Sequence, residues 1–268
     1  MTAKSDELNG VPRRRVGTLN FSVLTLNNAI SLISSLGVRR PDQGIAVHFA
    51  NAYNVALAGG DPDYRNLLNA GDLVFSDGTP IVWAGRRLHP EFSGVWCRVY
   101  GPDVMTGVLA RSTVDGPNHY LVGATTATLD LLVARIHGQW PSAQIVGVES
   151  PPFREPSATE LTERDQRITE SGATLVWVGL GTPKQDFEVH RLATNLPVVA
   201  LAVGAAFDFL AGTVSQAPRW MQRSGLEWGY RLAQEPKRLA KRYLWGNPRF
   251  VAAVARQSLR RNASSQPE

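Results

Sequence analysis

Thr174-Leu175-Val176-Trp177-Val178-Gly179-Leu180-Gly181-Thr182-Pro183-Lys184-Gln185 is an apolar run that ends on glycine and turns into a helix continued by Phe187, Val189 and Leu192. A run this short, bounded by glycine and followed by helical periodicity, reads as a buried strand feeding a helix. The pattern recurs. Residues 44–50, Leu73–Ser76 and 119–122 are runs of the same kind, and 198–203 is apolar throughout, as expected of a strand covered on both faces. Helix starts are marked by Asp61-Pro62, Thr79-Pro80 and Thr182-Pro183, each an N-cap residue before a first-turn proline. Together these features predict an α/β chain with a Rossmann-like, mostly parallel sheet flanked by helices. The loops that follow the strands of such a sheet gather at one edge, where ligands bind. The positions to watch are therefore Asn51, Asp77, Gly123, 179–185 and 204–208.

The 268 residues are 43% hydrophobic and 19% charged, enough for a sizeable core and against disorder over most of the length. A single cysteine, Cys97, excludes an internal disulfide and fits a reducing compartment. No run approaches the roughly 18 apolar residues of a membrane span. The N-terminus reaches Arg13-Arg14-Arg15 with no apolar segment of a signal peptide behind it, so a cytoplasmic, non-spanning protein is expected. Residues 1–16 and 262–268 read as disordered tails, 17–215 as the α/β core, and 216–261 as a basic helical appendage.

The appendage is where the charge lies. Between Gln216 and Arg261 there are eleven Lys or Arg against two acids, Glu227 and Glu235, whereas the rest of the chain is net acidic. Trp220, Trp228, Tyr230, Tyr243 and Trp245 are interleaved with these cations, a combination suited to an anionic, partly apolar surface. Residues 226–232 read as one helix, and Pro236 breaks or restarts it before a second piece. There Lys237, Arg238, Lys241 and Arg242 share a face. A charge stripe is usually a solvated face. With no acid to balance it, this one also admits anionic lipid, diphosphate or nucleic acid.

Within the core, the glycines at 179 and 181 would let a backbone approach a ligand, and N–H groups over 183–186 with Lys184 would attract phosphate; a plain strand-to-helix turn explains the same residues. The third glycine of a dinucleotide fingerprint is replaced by Lys184, and no acid follows about 20 residues on, which argues against nicotinamide chemistry. Asp77 ends a strand before Gly78 and a helix, where a carboxylate is either a general base facing the ligand edge or a turn aspartate. Asn51 carries the same ambiguity. Asp61-Pro62-Asp63 spells a D-x-D, yet both acids suit a helix N-terminus, and capping is the better reading. The five histidines have no ligand spacing, so no metal site is expected.

In combination, several blocks resemble the WecG/TagA/CpsF family of glycosyltransferases, glycosyltransferase family 26. They are Ser76-Asp77-Gly78 with Pro80; Arg98-Val99-Tyr100-Gly101-Pro102-Asp103; Gly179-Leu180-Gly181-Thr182-Pro183-Lys184-Gln185-Asp186; Val203-Gly204 with Phe207-Asp208; and Gly225-Leu226-Glu227-Trp228 with Arg231, Arg238 and Arg242. The resemblance implies an inverting enzyme with no cofactor and no nucleotide-bound metal. It would move a hexose-type sugar from a UDP-sugar to a sugar on a polyprenyl diphosphate, at the inner face of the cytoplasmic membrane. By position, Asp77 resembles the proposed base, and Asn51 a residue orienting substrate beside it. Arg98 and Gln185 resemble contacts to the donor or the leaving diphosphate, with Gly179, Gly181, Lys184 and Asp208 in the matching substrate-binding blocks. Arg231, Arg238, Lys241 and Arg242 resemble appendage cations that close over the site. Expected partners are the donor, the lipid-linked acceptor and an anionic membrane surface, with no nucleic acid; monomer and homo-oligomer are both open. Phe49 stands where the family commonly has threonine, which leaves N-acetylmannosamine, its uronic acid and glucose all open as the donor sugar.

Overall fold

In the computed structural model, which describes residues 8–264, the chain opens with an antiparallel hairpin of β1 (Arg13–Val16) and β2 (Leu19–Ser22). The arginine run assigned to a disordered tail is thus a strand from Arg13 onward. Its guanidinium arms lie over the surface, that of Arg14 sitting 4.3 Å from the Phe92 ring centre, while Val16 is buried. Residues 1–7 and 265–268 of the expected tails lie outside the described residues.

Helix α1 (Leu26–Arg39) leads into β3 (Ile45–Ala50), α2 (Ala52–Gly60), α3 (Pro62–Ala70), β4 (Leu73–Ser76) and α4 (Thr79–Leu88). After a 3-10 turn come α5 (Gly101–Ala110), β5 (Asn118–Gly123), α6 (Thr126–Gln139), β6 (Gln144–Glu149) and α7 (Ala158–Glu170). The chain continues through β7 (Leu175–Gly179), α8 (Lys184–Asn195), β8 (Val199–Ala202) and α9 (Ala206–Ala211). The basic segment forms α10 (Arg219–Arg223), α11 (Glu227–Gln234) and α12 (Pro236–Ser264).

The sheet has six strands in the order β4-β3-β8-β7-β5-β6, and every pairing is parallel. This is the Rossmann-like architecture expected of the βα rhythm. Strands β3 and β8 are buried along their whole length, and β7 up to Gly179, because helices cover both faces. Ile33, Val108 and Leu132 from α1, α5 and α6 fill one side, and Ile168, Val189 and Leu192 from α7 and α8 fill the other. Edge strand β6 is only half-buried, which is why its sequence lacks the apolar signature of its neighbours.

Two of the three expected helix starts differ in detail. Asp61 caps α3, its carboxylate accepting from the Tyr64 N–H at 3.0 Å, which is the capping reading of the D-x-D. For α4 the N-cap is Gly78, and the Thr79 hydroxyl instead donates to the Gln222 carbonyl at 3.1 Å. For α8 the N-cap is Pro183, one residue after the predicted Thr182, with no side-chain cap.

The appendage is docked on the core. Leu239 and Phe250 of α12 are buried, Trp245 meets Tyr53 edge-on at 6.2 Å, and a Cβ at Gly246 would lie 3.1 Å from the Tyr53 ring. Farther along, the Gln257 amide spans the hairpin, accepting from Gly17 N–H at 2.6 Å and donating to the Arg15 carbonyl at 2.9 Å. Pro248 lies inside this helix, which reaches Ser264, so residues 262–264 are helical and not a tail. No described helix is long and apolar enough to cross a membrane.

Candidate active site

Because all six strands run parallel, Ala50, Ser76, Gly123, Gly179 and Ala202 end at one edge of the sheet. Close approach is needed there: a Cβ on Gly123 would stand 2.5 Å from the Gly179 carbonyl oxygen, so only glycine fits. At this edge the Asp77 N–H still follows the strand register, donating to the Ala50 carbonyl at 3.0 Å. Its side chain is thereby fixed beside Asn51, the first residue after β3.

Asp77 accepts the Gly101 N–H at 3.1 Å, at the start of α5. Beneath it, Phe49 packs on Phe75 and against Gly101 rather than opening to solvent. Arg98 sends Nε to the Asp77 carbonyl at 2.7 Å and Nη2 to Glu227 at 2.6 Å, while its plane stacks 3.8 Å from the Tyr100 ring centre. The Tyr100 hydroxyl donates to the other Glu227 oxygen at 2.9 Å. The result is a closed group of Asp77, Arg98, Tyr100 and Glu227 joining the sheet edge to α11. Glu227 was not singled out in the sequence as a site residue. The available signal was that it is one of two acids in a segment of eleven cations.

The electrostatics suit proton transfer. Burial pushes the Asp77 carboxyl above the ordinary aspartate range, and the Arg98 charge, the Gly101 N–H and the Asn51 side chain only partly offset this. Burial and the Glu227 and Asp77 charges drive the Tyr100 phenol far up, so it stays protonated. Burial raises the Asp103 carboxyl as well. Burial also lowers Arg242, whose Nε has no hydrogen-bond partner among the described residues and whose guanidinium lies 4.3 Å from the Tyr53 ring centre. A desolvated cation with an unspent donor, electrostatically coupled to Asp77, is suited to an anionic group entering the site.

The other expected residues divide. Asn51 caps α2, its Oδ1 accepting from Tyr53 N–H at 3.0 Å. Arg231 lies 5.5 Å from the Phe209 ring centre. Asp208 is in the first turn of α9, next to that ring, and its main-chain carbonyl accepts from the residues closing the helix. Lys184 and Lys241 are exposed and Gly181 is open, whereas Gly179 packs on the Phe207 ring. The side chain of Arg238 lies outside the described residues.

In the turn at 179–185 two of the N–H groups are already engaged. The Gln185 N–H bonds the Gly181 carbonyl at 3.0 Å and the Asp186 N–H bonds Pro183 at 2.9 Å. Gln185 itself is buried, accepting from Gly181 N–H at 3.0 Å and donating to Ala202 at 3.2 Å. Its amide serves as a strut between the ends of β7 and β8. Gly181 takes a φ of 76° in the turn, and Gly179 leaves room for the Phe207 ring.

Next to the Arg98 group a cleft of about 630 Å³ is lined by Asp103, Arg135, Trp140, Phe209, Gln216 and Arg219. Asp103 lies in the field of both Arg98 and Glu227, which puts the cleft within electrostatic reach of that group. Among the described residues no three His, Cys, Asp or Glu come together as a metal-ligand set. His119 is a core residue: Trp177 donates to its Nδ1 at 3.0 Å, and burial lowers it to about 4. The profile of the glycosyl transferase WecG/TagA/CpsF family matches residues 14–264, nearly the whole chain.

Proposed function

We propose, from the premise that this chain belongs to the WecG/TagA/CpsF family, glycosyltransferases of cell-surface polysaccharide synthesis, that it moves a hexose-type sugar from a UDP-sugar to a sugar carried on a polyprenyl diphosphate, with inversion. The observation that carries this reading is Asp77, a desolvated carboxylate at the ligand edge of the sheet that accepts a backbone N–H, with Arg98 bonded to its main-chain carbonyl and Arg242 within electrostatic reach. In the proposed step the acceptor hydroxyl oxygen forms a bond to the anomeric carbon while its proton passes to Asp77. The bond from that carbon to the UDP phosphate oxygen breaks, and UDP leaves with the electron pair. Arg98, Arg231 and Arg242 supply the positive charge that stabilises the departing diphosphate, so no divalent cation is required. The cleft beside Asp103 takes the nucleotide half of the donor: Trp140 and Phe209 offer rings for a base, and Arg135 and Arg219 offer donors for phosphate and ribose oxygens. Release of UDP together with a product heavier by one sugar, from a short-chain prenyl-diphosphate acceptor, tests the reaction. Neither appearing with any donor would reject it.

The same reading puts the enzyme on the inner face of the membrane. A groove of about 530 Å³ between α2, the hairpin and α12 is lined by Arg15, Arg249, Arg256 and Arg260, with no acid among its described lining residues. Anionic headgroups contribute about 1 kcal/mol per nearby cation. Replacing Arg249 and Arg256 together with Gln is expected to weaken co-sedimentation with phosphatidylglycerol vesicles about tenfold or more, while turnover on a soluble acceptor stays at the parental rate. Unchanged vesicle binding would remove this groove from the account.

A further inference from the structure

Behind the site, an unbroken line of buried hydrogen bonds runs from α8 to Asn51. Asp186 follows the Gln185 strut in the first turn of α8 and is fully buried, as are His48 and Asn54, with Tyr64 at 1% exposure. The Asp186 carboxylate meets His48 Nδ1 at 3.0 Å and accepts the Tyr64 hydroxyl at 2.8 Å. The Tyr64 oxygen in turn accepts from Asn54 Nδ2 at 2.8 Å, and Asn54 Oδ1 accepts the Asn51 N–H at 3.1 Å. We propose that Asp186 is a positioning residue which, through Tyr64 and Asn54, fixes Asn51 so that its amide faces the Asp77 carboxylate. The inference rests on the reading of Asp77 as the base.

The direction of every bond in the line follows from its fixed end. A backbone N–H can only donate, so the Asn51 N–H requires oxygen from Asn54 and turns the Asn54 NH₂ toward Tyr64. The Tyr64 oxygen therefore accepts, and its own proton has one place to go, the Asp186 carboxylate. Burial, and then the Asp186 charge, hold that phenol protonated by driving it far above the ordinary tyrosine range. At the other end, the Asn51 Oδ1 is taken by Tyr53 N–H, so the NH₂ is what remains for Asp77. Donors aligned in one sense polarise one another, and a buried line of this kind holds its end group more rigidly than packing alone. Because Asp186 and Gln185 are adjacent, one helical turn sets both the glycine turn and the amide beside the base.

The groups facing Asp77 are Arg98, Tyr100 and the Gly101 N–H from the segment entering α5, Asn51 from the end of β3, Glu227 from α11 and Arg242 from α12. Tyr64→Phe removes one oxygen; of these groups it reaches Asn51 through Asn54, and Arg242 only through the field. Loss of one oriented donor to the carboxylate is expected to move the acid limb of kcat/KM upward by about half a pH unit. It should lower kcat about tenfold and leave the donor KM within about twofold. Leu132→Ala, a core truncation in α6, serves as a comparison of similar or greater destabilisation and should leave the limb in place. The ¹³C carboxyl titration of Asp77, recognised by its loss in Asp77→Asn, reads the same displacement without substrate. If the parent transfers no sugar, the proposed reaction fails while the titration still decides this point. Should Tyr64→Phe not fold, Asp186→Asn keeps the side-chain shape and is read in the same way. An Asp77 titration that shifts no more than in Leu132→Ala would overturn the inference.

Discussion

Asp77→Asn is expected to lower kcat by about 10²- to 10⁴-fold, the usual contribution of a general base. Asparagine keeps the oxygen that accepts the Gly101 N–H and the bulk beside Arg98, so the fold and the donor affinity should survive while proton acceptance is lost. The pH dependence carries a sign. Only the ionised carboxylate accepts a proton, and burial raises its proton affinity, so parental kcat/KM should fall on the acid side at a pH above the ~3.9 of a free aspartate. The same shift makes the ionised group a burden on the folded state. The folded chain holds this proton more tightly than the unfolded one, so the associated stability is fully present below about pH 3.9 and lost as pH rises through the folded value. Asp77→Asn should therefore melt at a higher temperature than the parent at pH 7 to 8, with the advantage gone near pH 4. A slow variant that is also more thermostable is the pattern of a site that gives up stability for reactivity. A variant of parental rate, with parental Tm, would remove Asp77 from the mechanism.

Arg98→Ala is expected to lower kcat/KM by about 10²- to 10³-fold, as when one preorganised donor of a charge-stabilising site is removed. The effect has two sources. Arg98 is the cation next to both Asp77 and the proposed diphosphate, and without it the Asp77 carboxyl is pushed still higher. It is also the link between the sheet edge and the appendage, through Glu227 at 2.6 Å and Gln222 at 3.4 Å. Its removal leaves the Glu227 side chain, 17% exposed, facing Tyr100 and Asp77 without a counter-charge. Kinetics should show a loss in both kcat and KM, and trypsin should cut between Arg219 and Arg231 faster than in the parent. If the two act as one unit, Arg98→Ala combined with Glu227→Ala should cost less than the sum of the single losses. Parental kcat/KM in Arg98→Ala would refute the role.

The central strands were legible because burial on both faces forces apolar runs, as in Val199–Ala202 and Leu175–Gly179. Edge strand β6 ends in Gln144 and Glu149 and reads as neither period, and the hairpin was hidden by three arginines whose aliphatic arms cover the surface while Val16 and Leu19 are buried. The site was legible in the same unequal way. Asp77 and Asn51 stand just after strand ends, where topology alone gives them a common edge, whereas Arg98 lies in a long connection and is marked only by the family motif. Glu227 is 129 positions from Arg98, and Asp186 is 122 from Tyr64; partners so distant leave no spacing to read. Gln185 shows what a motif leaves unsaid. Its place in a motif suggested contact with the donor, while the structure commits its amide to Gly181 and Ala202.

The most direct measurement is product mass under matched conditions, with the parent and Asp77→Asn each incubated with a panel of UDP-sugars and a short-chain prenyl-diphosphate-linked sugar. The account predicts that with one donor the parent adds a single sugar of inverted anomeric configuration and releases one UDP per product, and that Asp77→Asn does so at least about a hundredfold more slowly. Retention of configuration, or equal rates for the two proteins, would contradict it.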